Sequence, residues 1–218
     1  DLKVTKMAEE AMDQSGVFAS NTSTLPITGL AEASARPEKF VGLHFFSPVD
    51  KMQLVEIITG EKTDDETLAK AFDYVLAIRK IPIVVNDSRG FYTSRVFGTW
   101  ASEGMAMLAE GQHPAAIEMA GLQAGMPVGP LAVMDEVSLS LSKHVRDQTK
   151  ADLAAEGKEY DSHPSEAVID KMLELGRPGR AGGGGFYEYD GRNKQLWDGL
   201  ADTFMDGQEQ LSLEEIGR

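Results

Sequence analysis

The stretch Phe40-Val41-Gly42-Leu43-His44-Phe45-Phe46-Ser47-Pro48-Val49-Asp50-Lys51-Met52-Gln53-Leu54-Val55-Glu56-Ile57-Ile58-Thr59 decides how the chain is read. Two short runs, 40–46 and 54–58, are dominated by aromatic and β-branched residues, and a Ser-Pro-Val-Asp-Lys break separates them. That pattern predicts two buried strands joined by a turn. Each run carries one ionisable side chain, His44 in the first and Glu56 in the second. Burying a polar group alone is costly, and the cheapest partner for the imidazole is a carboxylate from the neighbouring run. A histidine held by a glutamate is the raw material of a general base, and in other settings it is only a satisfied core pair.

Outward from this stretch the pattern alternates. Leu2, Val4, Met7, Ala8 and Met12 outline a helical face, Val17-Phe18-Ala19-Ser20 reads as a short strand ending in the polar cluster Asn21-Thr22-Ser23-Thr24, and residues 27–34 as a small helix. Downstream, Thr63-Asp64-Asp65-Glu66 has the form of a capping box with Thr63 at the cap. The helix it opens puts Leu68, Phe72, Val75 and Leu76 on one face and ends near Lys80, and Ile81-Pro82-Ile83-Val84-Val85 follows as a further buried strand. Residues 1–87 therefore predict part of an α/β sheet. From 88 to 218 the chain reads as helical, with segments at about 91–110, 114–125, 129–154 and 165–175 and with Gly and Pro at the breaks. The expected fold class is α/β followed by all-α. The tail is Gly-rich and its end, after Phe204, is expected to be poorly ordered.

Composition narrows the function classes. A formal net charge of −14 over 218 residues argues against a nucleic-acid surface, which needs a basic face. The absence of cysteine excludes disulfides, thiolate nucleophiles and Cys-ligated zinc. No run approaches the ~18 apolar residues of a membrane span, and cytoplasm is the expected compartment. The chain starts at Asp1 inside a helix-like pattern and without an initiator Met, which suggests a piece of a larger protein.

Among candidate residues, His44 and Glu56 lead because they sit near strand ends in an α/β region, where ligand crevices form. His113 and His163 each precede a proline, His144 lies among charged residues on a helical segment, and no zinc-like spacing links any of them. Ser20-Asn21-Thr22-Ser23, at a strand's carboxyl end, can bind a substrate oxygen or cofactor amide, or can simply form a turn and helix cap. Ser47 carries the same two readings. The glycine run 182–185 lacks the G-x-G-x-x-G spacing and is expected to be a flexible loop over the neighbouring domain or a ligand. No G-x-S-x-G elbow supports a serine hydrolase.

Taken together and in order, Ser20-Asn21-Thr22-Ser23, Gly42-Leu43-His44-Phe45-Phe46-Ser47-Pro48-Val49, Leu54-Val55-Glu56, Asp87-Ser88-Arg89-Gly90-Phe91 and Met126-Pro127-Val128-Gly129-Pro130 with Asp135 resemble the L-3-hydroxyacyl-CoA dehydrogenase family. The tail from Gly185-Phe186-Tyr187 to Leu196-Trp197 is most similar to the multifunctional fatty-acid β-oxidation members, which also carry an enoyl-CoA hydratase domain. The resemblance implies that residues 1–87 are the distal part of a Rossmann-type NAD-binding domain and 88–218 a helical domain that dimerises and helps bind substrate. It implies NAD as cofactor, a 3-hydroxyacyl-CoA as substrate, a homodimer, His44 as catalytic base and Glu56 as its partner. Ser23 and Ser94 fall at substrate-contacting positions, and Asn21, Ser23 and Ser47 at cofactor-contacting ones. The chain departs from the family at Ser47 and Ser94, where Asn is common, at Ala181 beside Arg180, and at Thr5 beside Lys6, both places where a lysine is usual. The G-x-G-x-x-G strand and turn are expected before Asp1, so the chain alone is expected to bind NAD weakly. The competing readings are a dehydrogenase of a small β-hydroxy acid and a non-catalytic dimerisation module of a β-oxidation complex.

Overall fold

The structure, a computed structural model, describes residues 2–23, 25–205, 207 and 209–217; Thr24 of the polar cluster and the side chain of Leu2 lie outside the described residues. The chain forms two compact units, Asp1–Phe97 and Gly98–Arg218. In the first, α1 (Leu2–Glu10), β1 (Phe18–Ser20), α2 (Ile27–Ala31), β2 (Phe40–Phe45), β3 (Leu54–Thr59), α3 (Asp65–Ala77) and β4 (Ile81–Asn86) follow in order. The sheet runs β1-β2-β3-β4, with β1 parallel to β2, β2 antiparallel to β3, and β3 parallel to β4.

The two-residue period of a strand sorts the side chains of β2 and β3. Val41, Leu43, Val55 and Ile57 go to the face covered by Ala71 and Val75 of α3. Phe40 and Ile58 go to the other, with Ile27 and Leu30 of α2 and with Phe91. Each fully buried Val, Ile or Phe stabilises by roughly 1.5–3 kcal/mol, so burial on both faces pins the register; a slip of one residue would reverse every side chain. His44 and Glu56 are thereby assigned to the α2 face. Gly42 belongs to the same face, and a Cβ there would stand 2.8 Å from Ile27 Cγ1, so the glycine lets α2 lie close on the sheet.

Several local expectations need correction. Thr63 does not cap α3: its hydroxyl donates to the Phe40 carbonyl at 2.7 Å and accepts from Gly60 N–H, which commits it to the turn leaving β3. Asp64 is the cap, its carboxylate accepting from Thr67 N–H at 2.7 Å. Hydrogen bonds from Thr67, then the Lys39 ammonium, draw the Asp64 carboxyl down to about 2. On α3 the inward stripe is Thr67, Ala71 and Val75, while Phe72 and Leu76 are exposed. On α1, Val4 and Met7 face solvent, Thr5 is buried, and Glu9 accepts from Ser34 Oγ–H and Ala35 N–H.

In the second unit the segment expected as one helix over 129–154 is two, α6 (Pro130–Val137) and α7 (Leu139–Ala155), broken at Ser138 with φ +81°. The unit also holds α5 (Pro114–Gln123) and α8 (Ser165–Glu174), and two carboxylates are buried in it, Glu118 on α5 and Asp135 on α6. Glu118 accepts from Leu131 and Ala132 N–H at the start of α6 and from the Tyr187 hydroxyl at 2.7 Å. Asp135 accepts from Phe186 and Tyr187 N–H, both at 2.8 Å, and from the Tyr189 hydroxyl. Burial pushes the Asp135 carboxyl up even so, and burial with Glu118 beside it pushes the Tyr187 phenol above its usual range.

In the glycine run 182–185, Gly182 and Gly183 are exposed, while Gly184 and Gly185 are buried. A side chain at Gly185 would collide with the Asp135 carboxylate, and Arg177 Nε donates to the Gly185 carbonyl at 2.7 Å. The run leads into a hairpin, β5 (Tyr187–Asp190) with β6 (Asn193–Leu196), that the sequence reading did not contain. Beyond α9 (Gly199–Phe204), a few described residues of the terminal stretch make contacts, although most are exposed. Gln112 Nε2 donates to the Glu209 carbonyl, Gln210 Nε2 donates to the Gly111 carbonyl, and Ile216 of α10 (Leu213–Ile216) is buried. Among the described residues no helix is long and apolar enough to cross a membrane.

Candidate active site

His44 and Glu56 face each other across the antiparallel pair of β2 and β3. Imidazole Nδ1 lies 2.6 Å from Glu56 Oε2, and both side chains are buried. The carboxylate has other donors. Tyr92 and Thr93 N–H reach Oε1 at 3.1 and 2.8 Å, and the Thr93 hydroxyl donates to Oε2 at 2.8 Å. With its oxygens committed as acceptors, Glu56 meets the imidazole as an acceptor too, so the proton of a neutral ring is assigned to Nδ1 and Nε2 faces away from the carboxylate.

The donors come from the turn after β4. Gly90 (φ +72°) and Phe91 (φ +47°) are both left-handed, and they swing the chain back over the sheet so that α4 (Thr93–Ala109) starts at Glu56. The amino end of a helix favours a carboxylate through its unpaired N–H groups and its dipole. The same turn drives Phe91 into the core, 1% exposed, with its ring centroid 5.8 Å from that of His44. Phe46 lies on the imidazole as well, at 4.6 Å. The ring is thus held by one hydrogen bond and two tilted aromatic contacts.

The other candidates are placed less tightly. Asn21 follows β1, and its Oδ1 accepts from Phe45 N–H at 2.9 Å, next along β2 from His44. Ser20 Oγ accepts from Thr22 N–H, and Thr22 Oγ1 from Leu25 N–H, so these two brace the loop. Ser23 in that loop and Ser47 after β2 are exposed, both at the carboxyl end of the parallel pair β1–β2. Ser94 is half-buried in the first turn of α4, one residue past Thr93. His113 caps α5 by accepting Ala115 N–H, and His163 meets Ser165 and Glu103 at the start of α8, so both are occupied structurally. Among the described residues no group of three His, Asp or Glu could hold a metal ion.

Sequence reasoning missed Thr93 and the aromatic contact of Phe91. A signal existed for both: a Gly-Phe step just before a long helix, three residues upstream of a hydroxyl, is where a turn needs φ > 0 and a helix needs a partner for its first amides.

The chain is similar to known proteins over most of its length. Residues 2–88 match the family model for the 3-hydroxyacyl-CoA dehydrogenase NAD binding domain, and residues 90–189 that for the 3-hydroxyacyl-CoA dehydrogenase C-terminal domain. The fatty acid oxidation complex subunit alpha of Shewanella halifaxensis is 39% identical over 192 residues, which is 88% of this chain and 26% of that protein. The chain thus spans about a quarter of the length of the curated relatives it matches. Among solved structures, (S)-3-hydroxybutyryl-CoA dehydrogenase of Ralstonia eutropha superposes with a TM-score of 0.76 at 32% identity, covering 87% of this chain and 66% of that one. The 3-hydroxybutyryl-CoA dehydrogenase of Escherichia coli gives 0.73 at 29% identity, covering 90% and 42%.

Proposed function

Because the chain belongs to the 3-hydroxyacyl-CoA dehydrogenase family, we propose that it carries the acid–base machinery for NAD-dependent oxidation of an L-3-hydroxyacyl-CoA to the 3-ketoacyl-CoA in fatty-acid β-oxidation. The observation that supports this best is the buried 2.6 Å contact of His44 Nδ1 with Glu56, which leaves Nε2 as a base of fixed orientation. A bound nicotinamide ring supplies the hydride acceptor. With that ring bound, Nε2 would take the proton of the substrate's 3-hydroxyl, which is this chain's own part in turning the carbinol into a ketone. The imidazolium so formed is stabilised by Glu56, whose position is kept by the start of α4.

Hydroxyl and amide groups at the carboxyl end of β1 and β2 suit the nicotinamide end of the cofactor, because open α/β sheets bind ligands outside such strand ends. We assign Ser23, Asn21 and Ser47 to that role, and Ser23 and Ser94 to the substrate. The sequence has no G-x-G-x-x-G for a pyrophosphate, so tight dinucleotide binding is not expected of these residues alone. The relative named for fatty acid oxidation and the two named for 3-hydroxybutyryl-CoA favour a CoA thioester over a free acid as substrate. Exposed Met119 and Leu122 on α5 give the helical unit apolar surface for the homodimer in this reading.

NADH-dependent reduction of acetoacetyl-CoA by the full-length protein, run beside free acetoacetate, tests the reaction and the substrate class together. Turnover of the thioester alone is the expected result. Turnover of the free acid alone would replace the substrate, and turnover of neither would remove the activity.

A further inference from the structure

We infer that Thr93 is a positioning residue for the base, holding Glu56 through its side-chain hydroxyl in the geometry that orients His44. The role rests on the reaction proposed above, but the contact that carries it stands on geometry alone. Thr93 Oγ1 donates at 2.8 Å to Glu56 Oε2, the same oxygen that lies 2.6 Å from His44 Nδ1. The two backbone amides, by contrast, both go to Oε1. The amides therefore fix one oxygen and leave the carboxylate able to swing about it, and the hydroxyl stops that swing by holding the other.

This division of labour matters because a two-fold torsion at the carboxylate end of Glu is soft. Loss of the hydroxyl would leave Oε2 with one strong donor, the imidazole itself. The pair would then drift together, and a base displaced from line with the substrate hydroxyl loses rate steeply. Thr93 is also well placed to be constant in position: it is the first residue of the 17-residue α4, and the Gly90–Phe91 turn behind it is anchored by a fully buried ring. Its methyl group contributes nothing to the contact, so a serine should serve and a valine, of the same shape, should not.

The test compares Thr93→Val and Thr93→Ser by two readouts. In NMR spectra of the chain, the His44 ring of the wild type and of Thr93→Ser is expected as the single Nδ1–H tautomer with a sharp, strongly downfield Nδ1 proton. In Thr93→Val that proton is expected to move upfield and broaden. In the full-length enzyme, kcat of Thr93→Val should fall about 10- to 100-fold, the range for losing one hydrogen bond to a charged group, with KM within about threefold; Thr93→Ser should stay near wild type. If valine disturbs folding, as judged by circular dichroism, Thr93→Ala takes its place in both comparisons. An unchanged Nδ1 proton in the variant lacking the hydroxyl, or a serine variant as impaired as valine, overturns the role. A wild type inactive on acetoacetyl-CoA defeats the proposed reaction instead, and the NMR comparison still decides whether Thr93 positions the pair.

Discussion

Glu118 on α5 and Tyr187 on β5 share a buried hydrogen bond of 2.7 Å that joins the helices of the second unit to its hairpin. The other carboxylate oxygen receives the first two amides of α6. One side chain thus satisfies a helix start and a phenol at once, and this is why so acidic a protein keeps a carboxylate in its core.

Removing that carboxylate should be expensive. Glu118→Ala orphans two amides and a hydroxyl, and at about 1–3 kcal/mol for a buried unsatisfied group the loss should be at least about 2 kcal/mol in urea unfolding. Tyr187→Phe should cost about 1.5–3 kcal/mol, as for a hydrogen bond to a charged group. Because the two residues are partners, the double variant should lose less than the two single losses added together. Strict additivity would mean the bond contributes nothing.

Phe91 links stability to the site. Its ring is buried among Ile27, Leu30, Phe40 and Ile58 and touches His44. Phe91→Ala keeps the left-handed φ but leaves a cavity, and should cost about 3–5 kcal/mol. A midpoint shift worth less than about 1 kcal/mol in denaturant titration would show that the turn, and not the ring, holds this region.

Asp64 should leave a signature at low pH. Its carboxyl is held down at about 2 by hydrogen bonds from Thr67 and by Lys39. A carboxyl depressed in the folded state adds stability that is complete above its unfolded value, near 3.8, and is lost as pH falls from there through about 2. Asparagine caps helices about as well as aspartate but does not titrate. Thermal melts of Asp64→Asn should therefore fall less steeply than wild type across that window. Parallel curves would show that the cap's charge is irrelevant.

The sheet and the pairing of His44 with Glu56 could be foreseen because both follow from one short-range rule. Alternation along two apolar runs fixes which side chains share a face, and a buried imidazole needs a near acceptor. What escaped was set by contacts distant in sequence. Thr63 is the better cap by motif, yet the Phe40 carbonyl, 23 residues away, claims its hydroxyl. Leu68, Phe72, Val75 and Leu76 fit one helical period, and Val75 and Leu68 do meet the sheet, yet Phe72 and Leu76 are exposed and Ala71 takes their place. Asp135 packs on Gly185 and accepts from Phe186 N–H, and no local pattern announces a partner 51 residues away. Thr93 likewise reaches Glu56 across 37 residues, through a turn in which Gly90 and Phe91 are both left-handed.

The central claim, that the buried pair is a working base, is tested most directly by kcat for acetoacetyl-CoA reduction in the full-length protein carrying His44→Gln or Glu56→Gln. Each variant should keep its fold and lose about 10²- to 10⁴-fold in kcat, the usual contribution of a positioned base, with the larger loss at His44. Near-native kcat in the His44→Gln variant would contradict the account.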